Sequence, residues 1–146
     1  MRLTGFGVLV GLALTPCIGR AQGAPDTLGA IQAAENATRS WLGLVDSGQI
    51  DRSWEEAALP FQMAVTKAKW TESLRTARGS FEPFGARERI LARYTTELPN
   101  APKGEYVVLQ YRTQVAGGHK VIETIVPMRD GSRGWRISGY FVRPDQ

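Results

Sequence analysis

At Arg87 the chain changes period, and that change constrains the fold more than any other feature. Before it, apolar residues recur every three or four positions; after it they alternate. Those spacings mark helices and half-buried strands respectively. Four alternating runs follow, Arg87 to Leu98, Glu105 to Val115, His119 to Met128 and Trp135 to Val142. Their connections, Pro99 to Gly104, Gly117-Gly118 and Asp130 to Arg133, are short and built from turn residues. Such links join strands antiparallel, so the sequence predicts a four-stranded meander.

Alternation also predicts a register, because a one-residue slip moves every side chain to the opposite face. Read as a two-residue turn, Gly117-Gly118 sets Tyr111 opposite Thr124 and Arg112 opposite Glu123. The expected core face is then Ile90, Ala92, Tyr94, Val107, Leu109, Tyr111, Ile122, Val126, Met128, Trp135, Ile137 and Phe141. The expected wet face carries Arg89, Arg93, Gln110, Arg112, Gln114, Glu123, Ser138 and Tyr140.

The preceding half must cover that core face. Leu28, Ile31, Ala34, Thr38, Trp41, Leu42 and Val45 form one helical stripe, capped at its start by Asp26 or Thr27 and ended by Gly48. A second helix starts at Asp51, carries Trp54 and is expected to stop at Pro60. A third is capped by Thr66, with Val65 and Trp70 at the spacing of a hydrophobic staple, and ends at Gly79. The predicted fold is therefore α+β: three N-terminal helices packed on one face of a curved four-stranded antiparallel meander sheet.

Residues 1–23 have the anatomy of a cleavable export signal. Arg2 supplies the positive end, Gly5 to Pro16 the apolar stretch, and Gly19, Ala21 and Gly23 the small residues near a cleavage site. The stretch is too short to span a bilayer. Cys17 follows Pro16 where a lipoprotein cysteine is normally preceded by glycine or alanine, so soluble export to the periplasm or medium is favoured over lipidation. After cleavage no transmembrane segment is expected, and residues 24–146 form a single domain without cysteine. No disulfide or thiolate zinc site is then available.

Charge narrows the partners. With Arg2 and Arg20 set aside, 16 basic side chains face 14 acidic ones, a balance of +2. Arg75, Arg78, Arg87, Arg89 and Arg93 are interleaved with Glu82 and Glu88, the pattern of a solvated face rather than a nucleic-acid footprint.

These residues carry a resemblance. The chain resembles a bacterial secreted family, domain of unknown function 4019, in Trp41-Leu42, Val45-Asp46, Ser53-Trp54, Ala64-Val65, Trp70 and Arg78-Gly79. The likeness continues through Leu98 to Tyr106, Glu123 to Met128 and Trp135 to Tyr140. It implies an exported single-domain protein and supplies no activity. Helices followed by a curved antiparallel sheet also look like the cone-shaped folds similar to nuclear transport factor 2, a likeness of architecture alone.

Signals for chemistry are sparse. His119, the only histidine, sits on a turn with neither pocket nor orienting partner. There is no nucleophile elbow, no phosphate-cradling glycine loop and no clustered acidic loop, so no catalytic residue, metal site or cofactor is predicted. Trp54, Trp70, Tyr94 and Tyr111 are the candidate ligand-binding residues, and Arg112, Glu123 and Tyr140 a candidate interaction patch or dimer seam. The expectation is a non-catalytic exported domain, monomer or homodimer, that binds a small apolar ligand or a protein partner. The alternatives are a cone-fold isomerase- or hydrolase-like enzyme using Asp46 or Glu123 with a tyrosine, and a self-associating structural envelope protein. An apolar pocket beside a buried carboxylate favours the enzyme; an apolar patch exposed on the sheet favours association.

Overall fold

The structure, a computed structural model, describes residues 25–146. The expected export signal and Cys17 lie outside the described residues. Helices α1 (Thr27–Asp46), α2 (Ile50–Glu55), α3 (Leu59–Ala64) and α4 (Lys67–Arg78) precede strands β1 (Arg87–Thr95), β2 (Tyr106–Gln114), β3 (Lys120–Arg129) and β4 (Trp135–Pro144). The strands form one open antiparallel sheet in the order β1-β2-β3-β4. Helices before a meander are what the change of period demands.

Capping fixes the helix starts. Gly29 N–H donates to Asp26 Oδ1 at 2.9 Å, and Lys69 N–H to Thr66 Oγ1 at 3.2 Å. Gly48, at φ +77°, takes the left-handed conformation that ends α1 and turns the chain into α2. Along α1 the buried stripe is Ala34, Thr38, Trp41, Leu42 and Val45, whereas Leu28 is exposed. Pro60 corrects the sequence expectation: instead of stopping the second helix it sits in the first turn of α3, making four α-helices among the described residues rather than three. A proline there loses nothing, since first-turn N–H groups have no partner within the helix. Its neighbour Leu59 donates its N–H to Asp130 Oδ2 at 2.9 Å.

Three tryptophans lock the helices together. Trp41 Nε1 donates to the Ser53 carbonyl at 2.8 Å, and Trp70 Nε1 to Ser53 Oγ at 2.9 Å, so one fully buried serine satisfies both indoles. Both rings pack against Tyr140, with centroids 5.5 Å and 6.3 Å away. Trp54 is only half-buried, with its Nε1 donating to the Val65 carbonyl at 2.7 Å.

The register differs from the expected one by a single residue. Tyr111 pairs with Glu123, and Arg112 with Ile122. The cause is the turn: Ala116, Gly117 and Gly118 form a three-residue loop closed by Val115 N–H to the His119 carbonyl at 3.0 Å, with Gly117 at φ +70° and Gly118 at φ +74°. On β3 the slip inverts the faces. Val121, Glu123 and Ile125 share the helix-covered side with Tyr111 and Leu109, while Ile122, Val126 and Met128 lie on the other. Two bulges complete the correction. One at Ile90 turns Arg87 and Arg89 toward the helices, and one at Ser138 turns Tyr140 and Val142 inward and Phe141 out. Arg112 and Glu123 therefore stand on opposite faces.

Short α3 hooks over the edge strand β4. Ala58 N–H donates to the Ile137 carbonyl at 2.9 Å, and Phe61 packs against both Trp70 on the inner face and the Tyr106–Met128 cluster on the outer one. The helices thus cover the inner face and the tip of one outer corner.

Candidate functional site

Glu123 organises the inner face. It lies midway along β3 between Ile122 and Thr124 and is completely buried. A buried carboxylate is costly unless hydrogen-bonded and paired, and every neighbouring element supplies a donor. Thr113 Oγ1 on β2 donates to its Oε1 at 2.6 Å, and Tyr140 Oη on β4 to its Oε2 at 2.6 Å. From β1, Arg87 donates through Nε at 2.6 Å and through Nη2 at 3.2 Å.

The lattice continues to Asp46 at the end of α1. Arg87 Nη1 donates to Asp46 Oδ2 at 2.6 Å, and Arg78 Nη2 donates to Asp46 Oδ1 at 2.8 Å. Arg78, on the last turn of α4, is itself buried. It also donates to Glu82 Oε1 at 2.8 Å and to Tyr140 Oη at 3.2 Å, and its guanidinium stacks on the Phe84 ring at 3.7 Å. Burial pushes the Asp46 carboxyl up, but hydrogen bonds from Arg87 and Arg78 outweigh it and hold the group below its ordinary value. Burial, and next the negative charge of Glu123, push the Tyr140 phenol far above its ordinary value. Both oxygens of each of these two carboxylates are occupied by donors. The lattice ties α1, α4 and all four strands together at one end of the sheet.

Beside it a cleft of about 650 Å³ opens between α1 and β1. Glu35, Arg39, Leu42, Gly43 and Asp46 form its helical wall, and Arg87, Arg89 and Tyr111 the sheet wall. Glu35 is ion-paired with Arg89.

The outer face is different in kind. A groove of about 490 Å³ runs between α3 and the connection from β1 to β2, floored by β3, β4 and the start of β2. Pro60, Phe61 and Val65 form one wall, Leu98 to Pro102 the other, and Tyr106, Val126, Met128, Ser138 and Phe141 the floor. None of the residues lining it is charged. Phe141 is 63% exposed, and the Tyr106 hydroxyl is turned away to donate to the Pro102 carbonyl at 2.7 Å.

A family model described as a protein of unknown function, DUF4019, matches residues 37–140. The chain belongs to the DUF4019 family. That span takes in every residue of the Asp46–Arg87–Glu123–Tyr140 lattice, Arg78 included, and nearly all of the groove. No curated protein and no solved structure matches the chain.

Within this DUF4019 chain the candidate residues read from sequence separate. Trp70 is core, and Trp54 is half-buried beneath Lys67, whose Nζ lies 5.5 Å from its ring centroid. Tyr94 reaches the end of the inner face, donating to Glu105 Oε1 at 3.1 Å, and Tyr111 lines the α1–β1 cleft. These four do not line one pocket. The expected patch also breaks up: Glu123 and Tyr140 are hydrogen-bonded to each other in the interior, while Arg112 is outside, donating to Asp145 Oδ2 at 2.7 Å. Arg78 and Arg87, read from sequence as part of a solvated face, are the cations the buried carboxylate requires. The signal was present in Glu123 itself, a lone charge amid Val121, Ile122, Ile125 and Val126.

Among the described residues no group of histidine, cysteine and carboxylate side chains is arranged to hold a metal ion. Nor is any helix there long and apolar enough to cross a membrane.

Proposed function

We propose that this protein is an exported, non-catalytic binding domain that holds a small, uncharged, apolar ligand in the outer groove. The observation that carries the reading is the groove's lining, which has no charged side chain although 22% of the chain is charged. Its volume lies within the roughly 300–1,000 Å³ of ordinary small-molecule sites, which are likewise mostly apolar with a few polar groups for orientation. Asn100 supplies a polar side chain here, and the Ser138 hydroxyl, which donates to the Val126 carbonyl at 2.7 Å, can still accept. Arg2, the apolar run from Gly5 to Pro16 and the small residues near Ala21 support export.

Catalysis by the two acids is disfavoured on physical grounds. A general base must reach the proton it abstracts, and neither carboxylate has a free oxygen. Asp46 is held by Arg78 and Arg87, and Glu123 by Arg87, Thr113 and Tyr140.

The test uses N-phenyl-1-naphthylamine, a neutral apolar fluorophore, with native mass spectrometry of protein recovered from its own compartment. Wild type is expected to bind the probe, and Phe141→Asp to weaken binding at least about tenfold while shifting stability by no more than about 0.5 kcal/mol, as exposed positions do. A wild-type protein that ignores the probe overturns the reading, as does equal binding by the variant. A dimer broken by Phe141→Asp would give the face to self-association instead.

A further inference from the structure

The groove leaves the α1–β1 cleft on the other face unused, and there the balance of donors and acceptors is uneven. Asp46 takes its hydrogen bonds from Arg78 and Arg87. Arg87 spends all three nitrogens on Asp46 and Glu123. Glu35 is taken by Arg89, which uses one of its three nitrogens. Among the described residues two cleft groups make no hydrogen bond or ion pair at all: the Arg39 guanidinium and the Tyr111 hydroxyl. Arg39 is the one charge on the cleft without an opposite partner there.

Tyr111 remains a donor at neutral pH. Burial and the Glu35 charge raise its phenol above the ordinary value, although Arg89, Arg39 and Arg87 all lie close enough to pull it back. Those same three arginines line the cleft together with Tyr111.

Gly43 is the second observation. It lies within α1 on the cleft wall, and a Cβ built there would meet nothing within 4 Å. Packing does not require a glycine at this place, and a helical glycine costs about 0.5–1 kcal/mol relative to alanine. What its missing side chain provides is room beside Arg39 and Tyr111.

We infer that the α1–β1 cleft is a binding site for a small oxyanion, a carboxylate or phosphate group, held by Arg39, the free edge of Arg89 and the Tyr111 hydroxyl. A planar guanidinium fork suits either group, and charge-assisted hydrogen bonds are the stronger ones. The lattice behind supplies rigidity, since Arg87 and Asp46 on the cleft walls are fixed by the buried Glu123 and Arg78.

Calorimetric titration of the protein at low ionic strength tests this with two probes, sodium benzoate and inorganic phosphate. At least one should bind, with an affinity that falls as salt is added. Arg39→Gln should weaken binding about 10- to 100-fold, the loss expected for one charge-assisted contact. Gly43→Met, whose Cβ enters open space on the cleft wall, should abolish binding without lowering the urea midpoint. Arg136→Gln, on the far edge of the sheet, should change nothing. Benzoate alone binding assigns a carboxylate ligand, and phosphate alone a phosphate group. Neither probe binding overturns the inference, as does binding that survives both Arg39→Gln and Gly43→Met.

Discussion

The two faces of this sheet treat polarity in opposite ways. The inner face buries charge and answers it: Glu123, Asp46, Arg78 and Arg87 come from β3, α1, α4 and β1, and each finds a partner on another element. The outer groove contains no charge, yet leaves Phe141 open beside the buried Tyr106 and Met128. The difference separates what folding uses from what it leaves over. A buried ion pair between distant elements exists only once the tertiary structure forms, so it can fix how helices sit on strands. Apolar surface that the helices never cover contributes nothing to folding and stays available for a ligand.

Removing the central anion should break the comparison hardest. Glu123→Ala would leave Arg87 without one carboxylate and Arg78 short of charge in the interior. The expected loss is about 3–5 kcal/mol, the usual cost of breaking a buried pair from one side. Urea unfolding of the variant measures it. A loss under about 1 kcal/mol would mean that water reaches the lattice, and the faces would then differ less than their lining suggests.

Alkali should sharpen the comparison with a smaller effect. Tyr140 has a phenol raised in the folded state, first by burial and then by Glu123. Below the unfolded value near pH 10 both states keep the proton, and its contribution to stability is complete. As pH rises beyond that, the unfolded chain ionises first, so stability falls by up to ~1.4 kcal/mol per pH unit for this group. Tyr140→Phe should be less stable at pH 8 and lose stability less steeply above pH 10. Parallel urea-midpoint curves from pH 8 to pH 11.5 would show that the phenol is not held protonated by the lattice.

The sequence made the architecture legible because it is written in periods. Three helical stripes and four alternating runs give an α+β meander without long-range information. The caps at Asp26 and Thr66 and the turn at Gly48 are local chemistry and were legible too. What was hidden is whatever hangs on one residue of offset. Gly117-Gly118 fits a two-residue turn, but adding Ala116 to the loop slides β3 by one place and exchanges its faces. The bulge at Ile90 is a single insertion with no compositional mark, and the one at Ser138 is marked only by its neighbour Gly139, yet they aim Arg87, Arg89 and Tyr140 inward. The groove was illegible for a related reason. It needs Pro60 to start a helix that reaches around β4. Membership of the Asp46–Glu123 lattice joins positions far apart in the chain, and only the folded register brings them within reach.

Thr38 is the exception on the inner face and gives the smallest expected effect. It is fully buried on the inward side of α1, and its Oγ1 is the one buried side-chain polar atom without a hydrogen-bond partner among the described residues. Every other buried ion or hydroxyl near it is answered, so this hydroxyl bears a desolvation cost with no return. Thr38→Val keeps the β-branched shape and exchanges the hydroxyl for a methyl group. Valine and threonine have similar helix propensities, so the backbone term nearly cancels. The expected result is a gain of about 1 kcal/mol in urea unfolding, with the slope unchanged. Thr38→Ser, which keeps the hydroxyl and removes the methyl, should instead lose about 1 kcal/mol through the small cavity it leaves. If Thr38→Val is destabilising, a water bridges that hydroxyl, and the inner face answers its fully buried polar groups without exception.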